Sequence, residues 1–414
     1  MSGSVNAWSY PEREAYRPEQ KQRAERKARP QTAQKKGKRF YDFALLLAVV
    51  FIFATGLLLL YSGSSYYAVL NNKPSDYYFM KQCRYGLMGL GAGLLISLFN
   101  YQWLRTLFNG MLCRIAYWGS LILLLMTAVL GRVSHGKARW FSIGGQSFQP
   151  VELMKIGLIL NLAYWTVRWG KELNQPRTRW KMLGIGAFPS FIVLFQNISS
   201  AFILMGITVV MVFVVSDRKA VYAVLGVLGA GAVVSARTLA SWLIQKAGIT
   251  QRPEKYWLRR IVGWAAPEIF EADAYQTMQG IYAIGSGGLH GRNIGESIQK
   301  FGKVPEVHND MIFTIICEEM GFIGAFIVVV LYLFLLYRII YIGSHVRNRF
   351  GAMICTGIMA HIGIQVVLNI AVVTGVIPNT GVTLPFFSYG GSAIVCTMAE
   401  MGLVLSIAHR IRTE

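Results

Sequence analysis

The chain has 414 residues, of which 54% are hydrophobic and only 15% charged, with a formal net charge of +21. Soluble globular domains carry nearer a quarter charged residues, so this composition excludes an ordinary soluble enzyme and points to a polytopic membrane protein. The positive charge sits in a tail and in short connectors between apolar runs, the pattern of retained cytoplasmic loops, and no nucleic-acid motif accompanies it.

Residues 1–39 are polar and basic, with Pro11, Pro18 and Pro30. They lack the apolar surface needed to offset ordering entropy and read as a disordered cytoplasmic tail. The run "QKKGKRF" at its end holds the first span inside and meets lipid headgroups. The first apolar run starts too far into the chain for a cleaved signal. Ten helical spans are expected over roughly 42–62, 80–100, 110–131, 149–166, 181–196, 201–216, 219–243, 311–337, 351–374 and 392–409. The fold class is therefore all-α, with about ten transmembrane helices over residues 40–414. Basic connectors hold Arg105 with Arg114, Arg168 through Lys181, Arg218 with Lys219, and Arg338 through Arg349. With ten spans they share one side with both termini, which are expected to be cytoplasmic. The five cysteines lie in or beside apolar runs without a C-x-x-C pair and read as small buried residues.

Four segments interrupt this pattern. "HGKARWFSIGGQSFQPVELMK" runs into the fourth span, where Gln149-Pro150 can open a helix. Glu152 and Lys155 then share a helical face, as a structural ion pair or as part of a substrate site. Residues 244–310 form a large external loop between helices 7 and 8, holding Arg259, Arg260, Arg292, Lys300 and Lys303. Its glycine-rich "AIGSGGLHGRNIG" reads as a tight loop or as a backbone cradle for an anion. "VPEVHNDMIF" places Glu306, His308 and Asp310 at the external mouth of span eight, with Glu318 and Glu319 inside it. A polar helix start accounts for Asp310 alone, whereas a general base beside a basic pocket accounts for the whole set. "PNTGVTLPFFSYGGSA", with Ser388, is an irregular external loop that must be buried in protein or face water.

In this order, "GKARW…QPVELMK", "YAIGSGGLHGRNIGESIQK", "VPEVHNDMIFTIICEEMG" and "PNTGVTLPFFSYGGS" resemble the SEDS family (shape, elongation, division and sporulation). Its branches include FtsW, RodA and SpoVE, and the division-type branch is the best match. The resemblance covers about residues 40–410. It implies a peptidoglycan glycosyltransferase of the bacterial plasma membrane that polymerises lipid II into glycan strands for cell division or cell shape. It also implies a class B penicillin-binding protein as partner, with other division or elongation proteins. Asp310 matches the family's catalytic aspartate. Glu152, Lys155, Glu306, His308 and Ser388 fall in matched motifs and are expected to bind substrate, with Arg259 and Arg260 holding its diphosphate. Arg, Lys or a divalent cation (Mg or Mn) would offset the leaving-group charge. One departure stands out: "Q-P-D-L-G-T" of the family is Gln196-Asn-Ile-Ser-Ser-Ala201 here, with Ile198 in place of the acid. A lipid II flippase without bond chemistry is the alternative. It calls for ionisable residues along a path through the bilayer.

Overall fold

The computed structural model describes residues 42–411 apart from 131, 135–136, 144–145 and 218, so the basic tail lies outside the described residues. Ten helices of 18 residues or more fall on the ten expected spans. They are α1 (Phe43–Leu70), α2 (Tyr77–Leu98), α3 (Met111–Leu130), α4 (Pro150–Trp169), α5 (Pro176–Leu194) and α6 (Ile198–Val215). After α7 (Lys219–Lys246) come two shorter helices, α8 (Tyr256–Ala265) and α9 (Glu271–Gly287), then α10 (Ile312–His345), α11 (Arg349–Val373) and α12 (Gly391–Ala408). Among the described residues, seven helical segments are long and apolar enough to cross a membrane by length and composition, including Trp103–Thr127, which runs into α3. The other three, α2, α4 and α5, are diluted by ionisable residues such as Lys81, Glu152, Lys155 and Arg179. This is an all-α polytopic membrane protein. Helices are required because hydrocarbon offers no partner to a free backbone N–H or C=O.

Local chemistry sets the helix ends. The Asp42 carboxylate caps α1 by accepting from Leu45 N at 2.9 Å, and also pairs with Arg338 of α10 at 2.6 Å. Pro150 and Pro176 open α4 and α5, where a missing N–H costs nothing. Asn197 caps α6 by accepting from Ser199 N and Ser200 N. The departed motif at Gln196–Ala201 is thus a helix start, and Ser199 ties it to Thr380 O at 2.9 Å.

Between helices, small residues permit close approach, as expected where lipid is as apolar as leucine. On α2 and α12, a Cβ on Gly402 would lie 2.3 Å from Gly93 O. Among the described residues, one small antiparallel sheet, β1 (Arg132–Ser134), β2 (Lys137–Ile143) and β3 (Gln146–Phe148), fills the connector before α4. The expectation there was a plain loop. The long 244–310 connector is likewise partly helical. In it, Val262, Trp264 and Phe270 pack on Ile244 at the end of α7.

The two membrane faces follow from contacts. Tyr101 stacks on Phe350, and Ser406 donates to Phe99 O, so the ends of α2 and α12 and the start of α11 share the face of the basic connectors. Asp310, Asn379 and Arg260 gather at the opposite face.

Candidate active site

Asp310 sits immediately before Met311, the N-cap of α10, and is only 8% exposed. Its main-chain carbonyl accepts from Asn369 Nδ2 at 2.9 Å, and the same amide donates to Val382 O at 2.6 Å. Asn369 therefore clamps the segment before α10 to the loop after α11. Gly381 of that loop has φ +70°, a region that favours glycine. A Cβ there would lie 3.4 Å from Asp310 Oδ2 and 3.8 Å from Arg260 Nη1, so carboxylate and guanidinium border one point. Arg260 donates to Asn379 O at 2.7 Å, and Asn379 donates to Gln276 Oε1 at 2.9 Å. Asp310 Oδ1 is buried with no hydrogen-bond partner among the described residues. Burial pushes the Asp310 carboxyl up to about 6, against the opposing pull of Arg260 and with a smaller upward push from Glu306. An under-satisfied carboxylate with a raised pKa beside a cation has the character of a general base.

The neighbouring motif residues have other surroundings. His308 lies between the rings of Tyr67 and Tyr78, at 4.5 and 4.6 Å between centroids. Burial pulls its imidazole down to about 4, so it is neutral at pH 7 and brings no positive charge to a diphosphate. Its carbonyl accepts from Tyr389 N at 2.8 Å, joining this segment to the "SYGG" loop. Glu306 has φ +55° and turns the chain, accepting from Asn309 through both its carbonyl and its carboxylate. Ser388 Oγ accepts from Leu384 N at 2.7 Å, within its own turn. Arg259 Nε is turned to Pro253 O, away from the Asn379 carbonyl that holds Arg260. Of the two arginines, the structure brings only Arg260 to Asp310.

Of the two readings of the glycine-rich segment, the packing at Gly287 and Gly291 supports the tight loop and leaves no room there for an anion. Gly291 and Gly321 approach each other at a break in α10, where Gly321 has φ +64° and a Cβ on it would lie 2.4 Å from Gly291 N. A Cβ on Gly287 would meet Cys317 O. Nor is Lys300 available to a diphosphate: it is buried and paired with Glu319 at 3.0 Å, with Ser62 bonded to both. Glu318 accepts from Ser297 Oγ and from the N–H groups of Ile298 and Gln299. Glu318 thus holds the external loop against the bundle, while Glu319, bound through Oε1 to Lys300 and Ser62, keeps a buried Oε2 without a partner among the described residues.

Glu152 and Lys155 pair at 2.9 Å inside a buried polar network. Lys155 Nζ also donates to Gln365 Oε1 and lies 3.0 Å from His361 Nε2, while His361 Nδ1 lies 2.8 Å from Glu400. Gln365 Nε2 donates to Thr383 O, one residue from the Asn369 clamp. His361, Gln365 and Asn369 recur at every fourth residue along α11, a stripe the sequence reading passed over. Its signal was the i, i+4, i+8 spacing of polar residues in an apolar run. Among the described residues, no three His, Cys, Asp or Glu side chains converge as a metal-ion set. The cation beside Asp310 is Arg260.

A family profile described as cell cycle protein, covering FtsW, RodA and SpoVE, matches residues 43–413. The chain belongs to this family. Stage V sporulation protein E of Bacillus subtilis is 32% identical over 90% of this chain and 98% of its own length. A protein named probable peptidoglycan glycosyltransferase FtsW, from Trichlorobacter lovleyi, is 31% identical over 90% and 94%. Among solved structures, a chain described under structural coordination of polymerization and crosslinking by a peptidoglycan synthase complex matches with a TM-score of 0.69. It is 26% identical over 90% of this chain and 99% of its own. The rod shape determining protein RodA of Thermus thermophilus matches with a TM-score of 0.56 at 28% identity, over 90% and 98%.

Proposed function

We propose that this family member is a peptidoglycan glycosyltransferase that polymerises lipid II at the external face of the bacterial plasma membrane. Asp310 is its general base. The observation that carries this reading is the buried, partnerless Oδ1 of Asp310 beside Arg260, in a chain whose relatives are named peptidoglycan glycosyltransferases.

In the reaction, a sugar hydroxyl of one lipid II attacks the anomeric carbon of another. As the new C–O bond forms, the hydroxyl proton passes to Asp310 Oδ1. The bond from the anomeric carbon to the diphosphate oxygen breaks, and the electron pair leaves with the lipid diphosphate. The transition state has oxocarbenium character, as in glycosyl transfer generally. Arg260 offsets the charge growing on the leaving group, and such preorganised charge is worth most in a site shielded from water. The isoprenoid tail stays in hydrocarbon, which is why the base belongs at the lip of a span.

The basic face is cytoplasmic, together with both termini, and the 244–310 loop is external. A cysteine placed near residue 175 should resist external labelling in intact cells, and one near residue 252 should accept it. The relative in a peptidoglycan synthase complex supports a class B penicillin-binding protein as partner. The decisive experiment is polymerisation of purified lipid II by this chain, with and without that transpeptidase. Glycan product that depends on Asp310 supports the reading. Lipid II translocation in vesicles without glycan product would establish the flippase alternative.

A further inference from the structure

On the basic face, opposite Asp310, α3, α4 and α5 line an open cleft of about 420 Å³. Tyr117 and Ile185, which both line it, are joined because of a nearby proline. Pro189 lies inside α5 and has no N–H to give to Ile185, and the Tyr117 hydroxyl donates to that carbonyl at 2.7 Å instead. This bond holds α3 to α5 beneath the cleft. One wall is aromatic, with Trp165 and Trp169 stacked at 4.8 Å, and Phe188 lies exposed opposite.

Polar groups enter this apolar cleft at one level. Arg114 and Lys181 line it in the first two turns of their helices, both exposed. Among the described residues neither has a carboxylate within ion-pair distance. Asn161 also lines the cleft, is 4% exposed, and its Oδ1 has no partner. Gly157 packs on Ala116 and Ser120, so Asn161, one turn nearer the basic face on an antiparallel helix, lies near the level of Arg114. A buried acceptor without a donor is uncommon and marks a place for a ligand group.

We propose that this cleft binds one anionic phospholipid of the adjacent leaflet. Its phosphate lies between Arg114 and Lys181, a hydroxyl of a glycerol headgroup faces Asn161, and an acyl chain lies along Phe188 and the Trp165–Trp169 wall. Tryptophan and basic residues are common at any membrane interface, where they form a belt. What separates this site from a belt is convergence: the two cations, the buried amide and the rings line one open cleft.

The test is native mass spectrometry of the purified full-length chain titrated with phosphatidylglycerol or with phosphatidylcholine of matched acyl chains. The wild type should retain one phosphatidylglycerol in clear preference. Each basic residue near an anionic headgroup is worth roughly a factor of 5, so Arg114→Gln with Lys181→Gln should weaken apparent binding about 30-fold. Gly184 lines the cleft, and a Cβ on it would meet nothing within 4 Å. Gly184→Phe should therefore block the lipid with both cations in place. The paired control, Lys171→Gln with Arg177→Gln, removes two charges from the same face outside the cleft and should keep wild-type retention. Equal retention of both lipids by the wild type would overturn the proposal. So would equal loss in the control pair, or unchanged binding by Gly184→Phe. The readout is bound lipid, so the result is independent of glycan synthesis.

Discussion

Two polar regions lie within this bundle, and they are built on opposite rules. In the network of Glu152, Lys155, His361, Gln365 and Glu400, every one of these side chains has a partner within 3.0 Å. At the external lip, Asp310 keeps one carboxylate oxygen without any donor and one within reach of Arg260's surroundings. Buried charges that are fully paired hold helices in register. A buried carboxylate left short of donors is held ready for a proton that substrate must bring. The contrast recurs within α10 and its approach, where Glu318 is saturated by loop N–H groups while Asp310, eight residues earlier, is not.

The sharpest way to break this comparison is Asp310→Asn. It keeps shape and removes the base, and should lower polymerisation by about 100- to 10,000-fold. The variant should be at least as thermostable as the wild type at pH 7. The sign follows from linkage. The folded carboxyl titrates near 6, above its ordinary value, so the folded state holds the extra proton and stability falls as pH rises from about 4 to 6. An uncharged side chain escapes that loss. Product gels and thermal unfolding on the same preparations check both halves, and an inactive variant that melts early would count against a purely chemical role.

Lys155→Met should behave the other way. It strands Glu152, and breaking a buried pair costs about 3–5 kcal/mol. Folded yield and melting temperature in detergent should drop, and adding Glu152→Leu should recover part of the loss. An Lys155→Met protein that is stable but inactive would move the network from scaffold to site.

Arg260→Gln tests the coupling across Gly381. Wild-type polymerisation should rise with pH through about 6 as Asp310 ionises, then level off. Without the guanidinium the Asp310 pKa rises further, so the limb should move to higher pH, and the plateau should fall as leaving-group charge goes unopposed. An unshifted limb would separate Arg260 from Asp310. The smallest effect is expected from Ser388→Ala. It removes a turn hydrogen bond worth about 1 kcal/mol, and should lower the melting temperature slightly with no change in the pH profile.

The positions of the ten long helices were legible as apolar runs, seven of them apolar enough to cross a membrane by composition alone and α2, α4 and α5 diluted by ionisable residues. The same holds for Asp310 at the mouth of α10, since a carboxylate beside an apolar run has few places to go. Proline at Pro150 marked the start of α4 through its missing N–H, a property of one residue. Partnership was not legible. Arg259 and Arg260 are adjacent, yet only the rotation of α8 decides that Arg260 meets Asn379 while Arg259 turns to Pro253. Lys300 looked like a free external cation until the fold set it against Glu319, and the choice between tight loop and anion cradle for the glycine-rich segment waited on its contact with the break at Gly321. The clamp by Asn369 joins residues 59 and 13 positions away. Such contacts depend on relative helix rotation and loop return, which no local pattern encodes. The sequence by itself therefore determined which segments enter the membrane and where the acid stands. Only the tertiary structure decided which charges are satisfied, because satisfaction is a property of distances between elements.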